Sequence, residues 1–346
     1  MIDDKFEFIE ILGSGHFGIV WHVVDKALGV DRALKIINPS KVLDKENFFH
    51  EAQILKRVEH KNIVKVEEAG TLDNDDVYVA MEYLEKGSVE TEAKGRYVDL
   101  TRTRRIMIDV LRGLEHVHEM GIIHRDIKPG NIIIGPCQEG KLSDFGQAIP
   151  YGFNIDSIGV KDYAYLQHLA PEIYLGADYS IASDIYACGV TLYRLVNGDI
   201  FTPSLPPTKL MAAITSGKYP DRSRYREFVP RRLRNIIAKA IDVNPHIRYK
   251  SANKLRRAIE QLDMRINWCE SKINKGMKWS YGPIGKYYEV IRRAASDGSY
   301  IVETRKGCSK SKARRVTMHC HYGLDLNRAQ RITEKILQDF VTGKAA

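Results

Sequence analysis

The fold of this chain is decided by two short stretches near its middle. They read His124-Arg125-Asp126-Ile127-Lys128-Pro129-Gly130-Asn131 and Asp144-Phe145-Gly146. The first places a carboxylate before a lysine and an asparagine, and the second adds another carboxylate. Transfer of a phosphoryl group uses such a set, because one carboxylate orients the accepting hydroxyl while an amide and a second carboxylate hold magnesium on the phosphates. The two stretches therefore predict a phosphoryl-transfer site.

Composition bounds the class of protein. The chain has 346 residues and is 44% hydrophobic, which suits a two-lobed globular enzyme with a small additional unit. It has no run of about 18 apolar residues and no signal-peptide pattern at its start, so we expect no membrane contact. Its five cysteines are odd in number and scattered, which indicates free thiols in a reducing compartment. We therefore expect a soluble, cytoplasmic protein.

The positive charge is confined to the last quarter of the chain. Residues 264–346 contain 17 Lys and Arg against 7 Asp and Glu, a net charge of +10. Residues 1–263 contain 36 against 37, a net charge of −1. Such a shift in charge predicts a domain boundary near residue 263.

A glycine cluster near the N-terminus predicts a second part of the site. Gly13, Gly15 and Gly18 lie between two strand-like runs. Glycines at this spacing let a β-turn lie close over phosphates, because no Cβ blocks the backbone amides. The same spacing occurs in dinucleotide-binding folds, where a helix follows. Here a strand-like run containing Val20 follows, which favours a turn that covers phosphates.

A single lysine interrupts the next apolar strand. Lys35 stands in Ala33-Leu34-Lys35-Ile36, and a buried lysine needs a carboxylate partner. The helix predicted over residues 44–58 offers Glu51 on the face that also carries Leu55.

Together these features resemble the protein kinases, in the form used by the serine/threonine branch, over residues 6–263. The resemblance implies an α+β fold with a β-rich N-lobe over residues 1–85 and a helical C-lobe over residues 86–263. Residues 264–346 then form a small basic α+β module, for which we identify no family. The implied cofactors are ATP and Mg²⁺, and the implied partner is a protein substrate with Ser or Thr hydroxyls.

The resemblance also implies roles for the residues of the two central stretches. Asp126 orients the substrate hydroxyl, and Lys128 neutralises charge on the transferring group. Asn131 and Asp144 are the expected ligands of Mg²⁺. Lys35 and Glu51 are expected to form the ion pair that positions the α- and β-phosphates.

Further positions follow from the order of elements in the family. Met81 is expected as gatekeeper behind the nucleotide, and the backbone near Glu82 and Leu84 is expected to meet the adenine edge. A buried ion pair is expected between Glu172 and Arg248, and Asp184 is expected to brace the catalytic-loop backbone. The full set of expected ATP-binding residues is Gly13, Ser14, Gly15, Gly18, Val20, Ala33, Lys35, Met81, Glu82 and Leu84.

The chain departs from the family pattern in two places. Tyr165 stands near the position where serine/threonine kinases usually carry a threonine that touches the catalytic Asp and Lys. Arg125 is the residue that pairs with a phosphorylated activation loop in this family, but Gln147-Ala148-Ile149-Pro150 lacks the basic residue that often joins it there. Ser157 is the aliphatic hydroxyl between Asp144 and Ala170, so we expect it to be the autophosphorylation site if that loop has one.

The basic module is too apolar to be a disordered tail. Residues 300–304 and 316–320 predict two strands, and residues 325–340 predict a helix whose core face includes Ile336, Leu337 and Phe340. The connection over residues 305–315 is rich in Lys and Arg. It suits an acidic partner protein, the phosphates of a nucleic acid, or solvent alone.

The sequence thus predicts a protein kinase that acts on serine and threonine and also phosphorylates itself. Intracellular signalling and a bacterial toxin–antitoxin or defence setting both fit the chain. The alternatives are a catalytically silent nucleotide-binding scaffold and a nucleic-acid-associated regulator that acts through the basic module.

Overall fold

The computed structural model describes residues 2–15, 18–37, 50–72, 76–150 and 165–344. The chain divides into two compact units. Unit 1 comprises Met1–Val98, Arg104–Arg222 and Ile236–Glu260, and unit 2 comprises Asp99–Thr103, Ser223–Asn235 and Gln261–Ala346. The division into three domains at residues 85 and 263 stays a prediction.

Unit 1 begins with a five-stranded antiparallel sheet. The elements of this part of unit 1, in chain order, are α1 (Ile2–Lys5), β1 (Phe6–Gly15), β2 (Gly18–Asp25), β3 (Val30–Ile37), α2 (His50–Arg57), β4 (Val66–Thr71) and β5 (Val77–Glu82). The strand order is β1-β2-β3-β5-β4. One face buries a core of Phe6, Val23, Leu34 and Ala80. Because side chains alternate along a strand, Lys35 lies on the opposite face from Leu34.

The strand register defines the face on which Lys35 lies. Val20 pairs with Lys35 across β2 and β3, and Ala33 pairs with Met81 across β3 and β5. Directly opposed residues share a face of the sheet, and so do residues two apart in one strand. Val20, Ala33, Lys35 and Met81, all of which we predicted to contact ATP, therefore lie on one face.

The remainder of unit 1 is mainly helical. Its helices include α3 (Glu90–Ala93), α4 (Leu100–Glu119), α5 (Pro171–Tyr174), α6 (Ile181–Asn197), α7 (Pro207–Thr215), α8 (Arg231–Ala240) and α9 (Ala252–Glu260); the first residues of α4 and α8 belong to unit 2. Four short strands lie between them: β6 (Ile122–Ile123), β7 (Ile132–Ile134), β8 (Gly140–Leu142) and β9 (Ile149–Pro150). β6 pairs with β9 and β7 with β8, both antiparallel, so the two central stretches of the sequence are held beside each other.

Helix α6 runs through the core of unit 1. Its residues from Ser183 to Asn197 are buried, and Gly198 caps its C-terminal end. Gly198 has φ of +80°, and a Cβ there would lie 2.6 Å from the carbonyl oxygen of Arg96. Glycine is therefore required at this position by both backbone conformation and space.

Unit 2 is built on a six-stranded antiparallel sheet. Its elements are β10 (Cys269–Ile273), β11 (Gly276–Tyr281), β12 (Tyr287–Ala294), β13 (Tyr300–Gly307), β14 (Arg314–Arg315), β15 (His321–Leu324) and the helix α10 (Leu326–Val341). The order is β10-β11-β12-β13-β14, and β15 also pairs with β13. Phe340 of α10 packs against Trp268 and Tyr288, with ring centroids 5.8 and 5.0 Å apart.

The structure confirms some of the predicted elements of this unit and corrects one. Residues 300–304 lie in β13, and α10 buries Ile336, Leu337 and Phe340. The predicted strand over residues 316–320 is wrong, because Thr317–His319 form a 3-10 turn. In that turn the His319 N–H donates to the Val316 carbonyl and the Cys320 N–H donates to that of Thr317.

The predicted α+β fold is confirmed, with a strand-rich N-terminal part, a helical part and a basic α+β unit at the C-terminus. Over the described ranges, no helix combines the length and the apolarity that crossing a membrane requires.

Candidate active site

Asp126, Lys128 and Asn131 meet in the loop between β6 and β7. Asp126 is buried, and its Oδ2 accepts hydrogen bonds from Lys128 Nζ at 2.6 Å and from Asn131 Nδ2 at 2.8 Å. Asn131 Nδ2 also donates to the Asp126 carbonyl at 2.8 Å. A 3-10 turn over Pro129–Asn131 brings the asparagine back toward the aspartate. Three residues that the sequence singled out thus form one hydrogen-bonded cluster.

The backbone of this loop is fixed by Asp184 from α6. The carboxylate accepts the His124 N–H and the Arg125 N–H, each at 2.9 Å, and His118 Nε2 lies 2.9 Å from it. Burial opposes ionisation of Asp184, but the hydrogen bond and charge of His118 outweigh burial and lower the pKa of the carboxyl. This ionised acceptor holds Arg125 at φ of +73°, a conformation that is unfavourable for a residue with a side chain.

Asp144 contacts the lysine of the N-terminal sheet. Lys35 Nζ lies 2.9 Å from Asp144 Oδ1, and the lysine is buried. Burial raises the pKa of Asp144, but the charge and hydrogen bond of Lys35, with a contribution from Lys128, outweigh it and lower that pKa to about 2. The side chain of Glu51, the predicted partner of Lys35, lies outside the described residues, as does Ser157.

His124 and Phe145 pack together beneath the site. Both are fully buried, and their rings meet edge to face with centroids 4.5 Å apart. His124 Nδ1 accepts the Asp126 N–H at 3.3 Å, so the hydrogen on Nε2 points to the Ser143 carbonyl at 3.2 Å. Burial lowers the pKa of His124, which keeps the ring neutral in this arrangement.

The residues predicted as Mg²⁺ ligands are neighbours in the fold. The Ser143 N–H donates to the Asn131 carbonyl at 3.0 Å, and Ser143 directly precedes Asp144. Asn131 uses its amide nitrogen toward Asp126, which leaves its amide oxygen to act as a ligand. Asp144 binds Lys35 through Oδ1 and has a second oxygen. These hard oxygens fit Mg²⁺, which is usually held by one or two carboxylates together with substrate phosphates and water.

No cluster of three or more His, Cys, Asp or Glu side chains that could hold a metal occurs in the part of the chain that the structure describes. A site made of one carboxylate, one amide and the phosphates of a bound nucleotide contains no such cluster.

The glycine-rich segment forms the end of a β-hairpin. Gly15 closes β1 and pairs with Gly18, the first residue of β2; residues 16 and 17 lie outside the described part. A Cβ on Gly18 would overlap the carbonyl oxygen of Ile36 on the neighbouring strand. Gly13 and Ser14 are exposed on β1, so their backbone is accessible.

Beyond β5 the chain passes to the helical part of unit 1. Glu82 Oε1 accepts the Lys65 N–H at 2.8 Å and lies 2.7 Å from Lys141 Nζ, which ties the end of β5 to β8. Leu84 accepts the Gly87 N–H through its carbonyl, at 3.0 Å. These bonds tie the Glu82 side chain to its neighbours and close a turn from Leu84 to Gly87.

Glu172 and Arg248 form the ion pair expected from the resemblance. Both guanidinium Nη atoms lie 2.7 Å from the carboxylate oxygens, and the Arg248 side chain is fully buried. Arg248 also donates to the carbonyls of Asp242 at 2.7 Å and Ala182 at 2.9 Å. The charge is therefore paired and hydrogen-bonded, as burial demands.

The Arg125 side chain, which we predicted to pair with a phosphorylated loop, contacts Gln147 and Tyr179 in this structure. Its Nη1 donates to the Gln147 carbonyl at 3.1 Å, and its guanidinium lies 4.1 Å from the ring centroid of Tyr179. Arg125 and Tyr179 line a small pocket together with Asp126 and Tyr165.

Sequence reasoning missed a buried pair below Tyr165. Arg194 Nη1 donates to His168 Nε2 at 3.1 Å, so His168 Nδ1 carries the hydrogen that bonds the Ile127 carbonyl at 2.9 Å. Burial, reinforced by the charge of Arg194, lowers the pKa of His168 well below its usual range. The available signal was Arg194 itself, a charge within the apolar stretch of α6.

Comparison with known proteins agrees with this geometry. The model of the protein kinase domain matches residues 6–258. The chain is similar to the serine/threonine-protein kinase GL21140 of Drosophila persimilis, with 32% identity over 268 residues that cover 73% of this chain and 34% of the relative. It is similar to the serine/threonine-protein kinase zyg-8 of Caenorhabditis elegans, with 31% identity over 272 residues that cover 74% of this chain and 33% of the relative. The chain thus spans about a third of the length of these relatives.

Proposed function

Since this chain belongs to the protein kinase family, we propose that it transfers the γ-phosphoryl group of ATP to serine or threonine hydroxyls of proteins. The observation that carries this proposal is the cluster of Asp126, Lys128 and Asn131 beside Asp144 and Lys35. A catalytically silent scaffold has no need to retain every one of these groups.

Each residue has a definite task in the proposed reaction. Asp126 accepts the proton of the substrate hydroxyl while the hydroxyl oxygen forms its bond to the γ-phosphorus. The bond from that phosphorus to the oxygen that bridges it to ADP breaks, and ADP leaves with the electron pair. Lys128 lies beside Asp126 and offsets the negative charge on the transferring group.

The nucleotide is positioned from the other side. Lys35 meets its α- and β-phosphates, and the hairpin from Gly13 to Gly18 covers them. Asn131 and Asp144 would hold Mg²⁺, which would supply positive charge beside the phosphates of the bound nucleotide. Asp144 is suited to this task because its lowered pKa keeps it ionised throughout the physiological range.

The proposal is tested by incubating the full chain with Mg-ATP and a mixed serine/threonine peptide substrate, beside Asp126→Asn. We expect phosphate on the peptide and on the wild-type chain, and loss of both in the variant. Asn is nearly isosteric with Asp and still accepts the Asn131 hydrogen bond, so the variant should fold. Equal phosphate in both proteins would contradict the role of Asp126, and none in either would favour the scaffold.

The same experiment addresses autophosphorylation. We propose that the chain phosphorylates itself, with Ser157 as the acceptor within the loop that precedes Ala170. Mapping phosphate to another residue and not to Ser157 would overturn that assignment. We further propose that the kinase acts in the cytoplasm, in intracellular signalling or in a toxin–antitoxin or defence setting. The free cysteines support the reducing compartment.

A second function is favoured by the charges of unit 2. Arg305 lies opposite Arg315 and Lys306 lies opposite Arg314 in the β13–β14 pairing. Like charges directly opposite each other destabilise a sheet unless an anion lies between them. Arg315 has a carboxylate partner in Glu303 at 2.8 Å. We propose that this pair of strands, the basic hairpin, binds an acidic protein or the phosphates of a nucleic acid.

Retention of the full chain on immobilised nucleic acid, measured against salt concentration, tests this second function. The double variant Arg305→Gln/Arg314→Gln should elute at lower salt than the wild type. Lys272→Gln/Lys275→Gln, which removes two positive charges at the other end of the sheet, is the matched control. Equal elution of both variants would contradict a specific role for the hairpin, and retention on an acidic protein alone would decide for that partner.

A further inference from the structure

Lys128 has a second neighbour besides Asp126. Its Nζ lies 5.3 Å from the ring centroid of Tyr165, which is within the range of a cation–π interaction. The Lys128 side chain is 23% exposed, so solvent screens this attraction only in part. The ammonium group therefore lies between the Asp126 carboxylate and an aromatic face.

Tyr165 is itself held in place. Its hydroxyl donates to Gln167 Oε1 at 3.2 Å, and its carbonyl accepts the His168 N–H at 2.9 Å. The His168 ring lies 5.3 Å from the tyrosine ring, and the buried Arg194 guanidinium lies 5.7 Å from it. Through His168 this platform is hydrogen-bonded to the carbonyl of Ile127, the residue between Asp126 and Lys128.

The ring and the hydroxyl of Tyr165 have different partners. The ring meets Lys128, while the hydroxyl is used by Gln167, outside the Asp126 cluster. The ammonium group of Lys128 lies at the end of a flexible four-carbon stem. In the proposed reaction it has to stay close to the transferring phosphoryl group. An aromatic face restricts such a side chain at little entropic cost, because the ring is already fixed by its own neighbours.

We propose that Tyr165 is a positioning residue for phosphoryl transfer, and that its ring face holds the Lys128 ammonium beside Asp126. The inference rests on the proposed function and explains how this chain operates with a tyrosine near the place of the family's threonine. The ring orients the lysine, and the Asn131 amide orients the aspartate.

The test is a series of substitutions at residue 165, measured as kcat and KM with Mg-ATP and a serine peptide. Tyr165→Phe keeps the ring and should retain kcat within about twofold of the wild type. Tyr165→Leu keeps apolar volume without a π face and should lower kcat by about fivefold, with KM for ATP unchanged. Equal kcat in the Phe and Leu variants would overturn the proposal.

A second readout separates electrostatics from packing. Phenylalanine analogues with increasing ring fluorination, placed at residue 165, keep the shape of the ring and weaken its negative face. The proposal expects kcat to fall stepwise with fluorination, whereas packing alone would leave it constant. A constant kcat across the series overturns the proposal.

Tyr249→Leu provides a matched control. Lys239 Nζ lies 4.7 Å from the ring centroid of Tyr249. This contact is in the same unit and is not part of the Asp126 cluster. This variant removes an equivalent lysine–tyrosine contact and should leave kcat unchanged. A fall in kcat equal to that of Tyr165→Leu would mean that loss of any such contact lowers activity, which contradicts the proposal. A wild type with no Asp126-dependent transfer would contradict the proposed function and the inference with it, whereas an active wild type with equal Phe and Leu variants contradicts the inference alone.

Discussion

The substitution Glu172→Gln should destabilise the chain more than its small chemical change suggests. It removes the only charge that pairs with Arg248 among the described residues, while the arginine stays fully buried. Breaking a buried pair by removing one partner costs about 3–5 kcal/mol, because the other charge is left without compensation. Arg248 keeps its bonds to the Asp242 and Ala182 carbonyls, and 14% of the Glu172 side chain is exposed. We therefore expect the lower end, about 3 kcal/mol.

Equilibrium urea unfolding followed by far-ultraviolet circular dichroism measures this loss. The double variant Glu172→Gln/Arg248→Met removes both charges and should recover part of the stability lost in the single variant. Asp263→Asn breaks an exposed pair with Arg265 and should leave the unfolding midpoint unchanged. A Glu172→Gln midpoint equal to that of Asp263→Asn, or a double variant less stable than the single one, would refute the reasoning.

Three further predictions concern single residues. Asp184→Asn weakens the charged acceptor of the catalytic-loop backbone and should cost about 2 kcal/mol in urea unfolding, with a fall in kcat; an unchanged kcat would show that the loop does not depend on it. Lys35 lowers the pKa of Asp144 from 3.8 to about 2, so the stability that their pair provides is present above the ordinary pKa and is lost as pH falls through that interval. Because the Asp144 side chain is 36% exposed, we predict only the direction for Lys35→Met: a flatter dependence of the thermal midpoint on pH between about pH 4 and pH 2, and a dependence as steep as in the wild type would contradict it. Lys275→Gly relieves a φ of +57° in the β10–β11 turn and should raise the thermal midpoint slightly; a lower midpoint would mean that the lysine side chain stabilises the turn.

The catalytic loop could be predicted because its information is local. Asp126, Lys128 and Asn131 lie within six residues, so one tight loop can bring them together. The contact between Glu172 and Arg248 crosses 76 positions and was predictable only through the resemblance. The pattern of apolar and charged residues does not show which residues of two such distant segments are in contact.

Other parts of the site had no clear sequence signal. The ion pair of Lys35 with Asp144 joins two residues that were each predicted to be functional, yet their mutual contact depends on how the sheet meets the helical part of unit 1. The positive φ of Arg125 is imposed by Asp184, which is 59 residues away. The contact between His168 and Arg194 depends on the burial of the charged Arg194. The periodicity of the helix does not indicate which residue pairs with that charge.

Unit 2 shows where strand propensity misleads. Residues 316–320 contain Val and Thr, which favour strands, but local hydrogen bonds close a turn there. The strands β10, β11 and β12 were not predicted, since polar and basic residues on one face dilute their apolar pattern. Their apolar face, including Trp279 and Val290, is buried, and α10 packs on β12 through the contact of Phe340 with Tyr288.

The central claim is that Asp126 directs phosphoryl transfer from ATP to a protein hydroxyl. Its most direct test is a single-turnover reaction of Mg-ATP with the full chain and a serine peptide, quenched with acid and analysed for ADP and phosphoserine. The account predicts that ADP and phosphoserine form together in the wild type, and that Asp126→Asn binds Mg-ATP but forms neither. ADP without phosphoserine in the wild type, or equal phosphoserine in the variant, would contradict it.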